Sequence, residues 1–152
     1  MKKIALFTSG GDSPGMNACI RAVVRAGIYN KLEVVGIMHG YEGMIEGKFI
    51  PMDSGSVSGI IQRGGTILKT ARSKRFMTKE GMKQAFQSLK NENIEGVVAI
   101  VQPSGHLDDR MSTVEDETRY WLDQSARAVT QPSISTRVRS ILVAHAHGRF
   151  AT

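Results

Sequence analysis

Hydrophobic and polar positions along the first hundred residues switch repeatedly between two periods. Ile4, Ala5, Leu6 and Phe7 form an unbroken apolar run, the mark of a short strand covered on both faces. Met16, Ile20, Val23, Val24 and Ile28 then recur at helical spacing, predicting a helix over residues 14–30. Glu33 to Met38 predicts a second strand, and the three segments make a βαβ unit, expected to be parallel and right-handed. His39 to Phe49 carries Gly40, Gly43 and Gly47 and predicts a loop at the carboxyl end of that strand, the edge where open α/β sheets bind ligands. Ser54 to Arg63 predicts a short capped helix with Val57, Ile60 and Ile61. Thr78 caps a predicted amphipathic helix with Met82, Ala85, Phe86 and Leu89 on one face, ending near Asn93. Val97 to Val101 predicts a third buried strand.

Beyond residue 101 the pattern lapses. Residues 102–118 are polar and lack a clear period. Tyr120 to Val129 is compatible with a short helix, and Ser140 to Ala146 with a strand or a helical turn. The alternating histidines His145 and His147 have no Cys, Asp or Glu nearby to complete a metal site.

Chemistry concentrates at the first turn, from Leu6 to Ala18. Gly10 and Gly11 allow positive φ and a close approach of backbone to ligand. Ser13 is suited to an N-cap and Pro14 to the first helical position. Such a turn aims unpaired N–H groups and the positive end of a helix dipole at one spot, where a phosphate would sit; an ordinary tight βα turn is the plainer reading. Arg21 and Arg25 lie one helical turn apart with no acid between them, either as a solvated pair or as a pair awaiting an anion. Gly64-Gly65-Thr66 forms a second flexible turn, followed by Arg72 and Arg75.

Charge divides the chain where the periodicity does. Residues 1–100 hold 9 Lys and 5 Arg against 8 acids, whereas residues 101–152 hold 6 Arg, no Lys and 6 acids. Of the 16 glycines, 14 lie in the first part. The basic excess is not clustered with aromatics, which argues against nucleic acid and for a cleft that takes anionic small molecules. No apolar run reaches the roughly 18 residues of a membrane span, and the first residues lack a secretory pattern. A single cysteine, Cys19, suits a reducing, cytoplasmic setting and reads as a small apolar helix residue.

Taken together, these motifs resemble the N-terminal part of the bacterial ATP-dependent 6-phosphofructokinases, nearly continuously over residues 1–100. Thr8-Ser9-Gly10-Gly11-Asp12-Ser13-Pro14-Gly15-Met16-Asn17-Ala18 is similar to the family's opening motif. Gly36-Ile37 with Gly40-Tyr41-Glu42-Gly43, then Arg63-Gly64-Gly65-Thr66 and Thr70-Ala71-Arg72, continue in register. The resemblance implies a Rossmann-like α/β fold, a parallel sheet with flanking helices, present here incompletely. It implies that Gly11 approaches the ATP phosphates, that Tyr41 and Ser73 lie by the nucleotide, and that Arg72 bridges the transferred phosphoryl group. Arg21 and Arg25 resemble arginines of the family's allosteric site for ADP or phosphoenolpyruvate, although Gly59 stands where the family usually carries aspartate. The family moves the ATP γ-phosphoryl to the 1-hydroxyl of fructose 6-phosphate with Mg2+ and an aspartate base. An arginine fork suits that transfer, which needs charge neutralised and reactants held in line.

Residue 101 is where the resemblance stops. The family continues with Gly-Gly-Asp-Gly-Ser, but this chain has Val101-Gln102-Pro103-Ser104-Gly105, and Pro103 offers neither carboxylate nor N–H. The later Thr-Ile-Asp-Asn-Asp motif with the base is absent; Asp108-Asp109 follows no strand and takes no role. Residues 1–101 are therefore expected to form a partial N-terminal ATP-binding domain, and residues 102–152 a divergent tail, poorly ordered or translated from a shifted frame. The expected protein is a truncated, inactive kinase that cannot form the family's tetramer. The alternatives are a non-catalytic nucleotide- or effector-binding module, in which the tail folds, and a pyrophosphate-dependent relative, which Gly-Gly-Asp-Ser-Pro-Gly disfavours.

Overall fold

The computed structural model describes residues 2–11, 14–101 and 140–145. Four strands and three helices come from the first hundred or so residues: β1 (Lys3–Ser9), α1 (Met16–Tyr29), β2 (Glu33–Ile37), α2 (Gly40–Glu46), β3 (Phe49–Pro51), α3 (Lys79–Asn91) and β4 (Gly96–Val101). β5 (Ser140–His145) completes a sheet of order β3-β2-β1-β4-β5. β1 lies at the centre, parallel to β2 on one side and to β4 on the other. β5 runs parallel to β4, with Gly96 opposite Ser140 and Val101 opposite His145.

Period-two packing of β1 divides the core into two layers. Ala5 and Phe7 face Met44 and Ile45 of α2 and Ala85 and Leu89 of α3. Ile4 and Leu6 face Met16, Ile20 and Val24 of α1. Burial on both faces is why β1 reads as a continuous apolar run rather than an alternating one. Cys19 is free and packs at the edge of the α1 layer, where burial pushes its thiol pKa up. No helix among the described residues is long and apolar enough to cross a membrane.

Three expectations change. His39 to Phe49 is not a loop: it folds as α2 followed by β3, which returns antiparallel to β2 and makes the sheet mixed. His39 at φ 60 enters α2, and Gly47 at φ 71 ends it, so positive-φ residues bound a helix. Residues 54–63 form turns rather than a helix. The Asp53 carboxylate accepts from the Ser56 amide at 2.6 Å and the Ser56 hydroxyl accepts from the Asp53 amide at 2.8 Å, a reciprocal pairing of the kind that opens a helix, yet only turns follow it. Gly59 then takes φ 63. Finally, α1 begins at Met16, with Gly15 as its cap at φ 97 and no side-chain cap bond. Ser13, the expected cap, lies outside the described residues, as do the candidate helix at 120–129 and His147. The expected cap at Thr78 is present: its hydroxyl accepts from the Gly81 amide at 3.0 Å.

Candidate functional site at the carboxyl edge of the sheet

Parallel strands β1 and β2 release the chain on the same edge, and two buried polar side chains fasten a third segment across it. Thr8, fully buried near the end of β1, donates its hydroxyl to the Lys69 carbonyl at 3.1 Å and lies 3.2 Å from the Thr66 hydroxyl. Thr66 in turn accepts from the Leu68 amide at 3.2 Å. One proton arrangement satisfies all of them, running from the Leu68 amide through Thr66 and Thr8 to the Lys69 carbonyl. Asn17, in the first turn of α1, donates to the Arg63 carbonyl at 3.1 Å and accepts from the Ile67 amide at 2.9 Å. Asn17→Ala strands two backbone groups at a buried position and is expected to cost about 2–3 kcal/mol in urea unfolding. A loss under about 0.5 kcal/mol would show that water replaces the amide there.

From this crossing the segment reaches Arg72. The His39 amide donates to the Leu68 carbonyl at 2.8 Å, drawing the start of α2 to the same place. Gly40 is at φ 58, and a Cβ there would lie 2.9 Å from the Thr8 carbonyl oxygen and 4.0 Å from that of Ala71. The backbones of β1 and α2 thus close on one another where only glycine fits, with the Ala71 carbonyl in ordinary contact beside them. Beside them the chain leaves β1 through Gly10 at φ 91 and Gly11. Among the described residues it enters α1 with Gly15 as cap, no side-chain cap bond and no acid in the first turn. The amides and dipole of a helix start favour an anion.

Tyr41 is half-buried between two rings, stacked on Phe76 at 4.2 Å and edge-on to Phe7 at 4.9 Å. Arg72 is exposed. The Ser73 hydroxyl donates to the Glu42 carboxylate at 2.5 Å and accepts from the Phe76 amide at 3.0 Å. Arg75 donates to the other Glu42 oxygen at 2.6 Å. The Ser73 hydrogen bond holds the Glu42 carboxyl below the usual carboxylate range; burial opposes it, and Arg75 and Lys48 add to the lowering. The motif Gly40-Tyr41-Glu42-Gly43 contains Glu42 but gives it no role. Its signal in the sequence is the row of cations at Arg72, Lys74 and Arg75 with no acid beside them.

Arg21 and Arg25 lie on α1, away from this convergence. Arg21 is half-buried and donates to the Val57 carbonyl at 2.6 Å, tying α1 to the turn around Gly59, while Arg25 is exposed. Among the described residues no three His, Cys, Asp or Glu side chains gather as metal ligands.

The family model described as Phosphofructokinase matches residues 3–101. The chain is 62% identical over 100 residues to the ATP-dependent 6-phosphofructokinase of Cytophaga hutchinsonii, which is 66% of this chain and 30% of that protein. The enzyme of the same name from Halothermothrix orenii gives the same identity and coverage, and an ATP-dependent 6-phosphofructokinase of Thermus thermophilus is 57% identical. Phosphofructokinase from Saccharomyces cerevisiae superposes with a TM-score of 0.74 at 32% identity, covering 95% of this chain and 20% of that one. A pyrophosphate-dependent phosphofructokinase from Marinobacter aquaeolei, at 15% identity and a TM-score of 0.62, shares the fold. This chain spans about a third of the length of the curated relatives it matches. The glycine turn, the Arg72 segment fastened across β1 and the match from the first strand to the end of β4 agree, and the chain belongs to the phosphofructokinase family.

Proposed function

We propose that this chain carries the nucleotide-phosphate part of an ATP-dependent 6-phosphofructokinase site, and that its own residues do not complete the catalytic set. The observation that supports this reading is the crossing of residues 66–72 over the ends of β1 and β2, which brings the Arg72 backbone beside the β1 edge. On this reading ATP is the substrate whose phosphates meet the Gly11 turn and the first amides of α1. Arg72 reaches the γ-phosphoryl group, Tyr41 lies by the nucleotide, and Ser73 adjoins it while its hydroxyl stays on Glu42. Arg21 and Arg25 take an anionic effector such as ADP or phosphoenolpyruvate, with Val57 orienting the first guanidinium. Fructose 6-phosphate is the acceptor in the full reaction.

Among the described residues no group of carboxylates is placed to hold Mg2+. Immediately after β4 the chain offers Gln102, Pro103 and Ser104, none of them a carboxylate, whereas a hard cation wants oxygen anions.

The purified chain is expected to be stabilised by ATP and by ADP, by about 2.7 kcal/mol when the ligand is at 100 times its Kd. Gly11→Asp is expected to remove the ATP effect, and the double change Arg21→Ala/Arg25→Ala part of the ADP effect. With Mg-ATP and fructose 6-phosphate, ADP release is expected at background. Clear turnover would overturn the catalytic half of the proposal. No stabilisation by ATP, ADP or phosphoenolpyruvate would overturn the binding half.

A second reading, a non-catalytic nucleotide-binding module, is supported by β5. Six residues of the divergent region pair in parallel register along the whole of β4, as a region that belongs to the folded sheet would. Deleting residues 102–152 separates the two: a module loses stability with its edge strand, whereas a shifted-frame tail is dispensable.

A further inference from the structure

Glu42 holds the chain on the far side of Arg72 by two residues at once. One carboxylate oxygen takes the Ser73 hydroxyl and the other the Arg75 guanidinium. The same guanidinium reaches Glu46 at 3.8 Å and Gln84 of α3 at 3.5 Å. Ser73 passes the restraint onward through the Phe76 amide, and the Phe76 ring lies on Tyr41, the residue next to Glu42. On its near side, Arg72 follows the Thr8–Lys69 and His39–Leu68 bonds. Arg72 is thus clamped at both shoulders, while its own guanidinium makes no hydrogen bond or ion pair among the described residues. Arg75, the cation three residues on, is occupied.

We propose that Glu42 is the positioning residue for Arg72: by binding Ser73 and Arg75 it fixes the segment on α2 and leaves Arg72 as the cation presented to a phosphate. The proposal rests on the reading of Arg72 as a phosphate ligand, and it adds a division of labour between two arginines that look alike in sequence. Without the carboxylate, Ser73 and Arg75 are released together and Arg75 competes for the same anion.

Two readouts on the intact chain test it. The first needs no nucleotide: hydrogen exchange of the Phe76 amide and tryptic cleavage of the Arg72–Ser73 bond. Glu42→Ala is expected to speed both by about three- to tenfold, as loss of one partly exposed charge-assisted pair predicts. Glu42→Gln, which keeps an acceptor for Ser73, is expected to fall between. The second readout is ATP affinity. Arg72→Ala and Glu42→Ala are expected to weaken ATP binding, and the double variant to bind no worse than Arg72→Ala alone, because Glu42 acts through Arg72. Unchanged exchange and cleavage in Glu42→Ala would overturn the proposal whatever ATP does. So would additive losses of affinity, or an ATP affinity indifferent to Glu42. If exchange and cleavage accelerate but the unaltered chain binds no ATP, the clamp stands and the phosphate-ligand reading of Arg72 falls.

Discussion

Replacing Phe76 by alanine is expected to destabilise the chain by about 3–5 kcal/mol, a large part of the 5–15 kcal/mol typical of a whole domain. The ring is 1% exposed and belongs to the layer formed by Ala5, Phe7, Ile37, Met44, Ala85 and Leu89. It lies outside any strand or helix, in a segment held otherwise by turn bonds such as Thr78 amide to Arg75 carbonyl at 3.0 Å. Two terms add at this position. Truncation removes buried aromatic surface and leaves a cavity in that layer, against Tyr41 of α2, that backbone turns cannot easily close. It also removes the stack on Tyr41, worth about 0.5–1.5 kcal/mol for such a pair. Phe76→Leu restores most of the volume without the stack and is expected to cost about 1–2 kcal/mol. Urea midpoints with unchanged slopes would report both values. A loss below about 1 kcal/mol in Phe76→Ala would mean that the segment carrying Arg72 is not anchored by this ring.

Phe76 also shows where sequence reading stops. Regular elements were legible because each is periodic. The run from Ile4 to Phe7 gave a central strand, the spacing from Met16 to Ile28 gave α1, and Thr78 with its following apolar face gave α3. Phe76 stands between Arg75 and the exposed Met77, with no period to mark it rather than Met77 as core. The hydroxyl partner of Thr8 was equally hidden, since a lone buried threonine and a distant Thr66 meet only after the fold forms. At the candidate site, the glycine turn and Arg72 stood out by motif, whereas Glu42 and Asn17 act through contacts 31 to 50 residues away. The expected helix at 54–63 does not form, although Asp53 and Ser56 pair as at a helix start, and Gly59 at φ 63 turns the chain out of helical geometry. For β5, a strand and a helical turn were both open; the parallel pairing with β4 decides it.

Glycine usage in residues 39–49 leads to the second large effect. Clustered glycines suggest a loop, yet Gly43 sits inside α2 and is buried. Gly→Ala within a helix ordinarily stabilises by about 1 kcal/mol, because alanine loses less backbone entropy on folding. Here the opposite sign is expected. A Cβ on Gly43 would fall well inside contact distance of the Met38 carbonyl oxygen and carbon, which are backbone atoms and cannot rotate away. Relief requires α2 to move off the end of β2. The Gly43 carbonyl also accepts from the Lys48 amide at 2.8 Å, so the turn into β3 must move with it. Gly43→Ala is therefore expected to cost about 3 kcal/mol or more, at the upper end of overpacking effects. Tyr41 and Glu42 travel on the displaced helix, so the Arg72 segment loosens too. Gly64 is the control: a Cβ there meets nothing within 4 Å and its φ is not positive, so Gly64→Ala is expected to stay within about 0.5 kcal/mol of the unaltered chain. If Gly43→Ala were as stable as Gly64→Ala, the close approach of α2 to β2 would be wrong. The crowding of Gly40 against Thr8, with Ala71 in contact beside it, would fall with it.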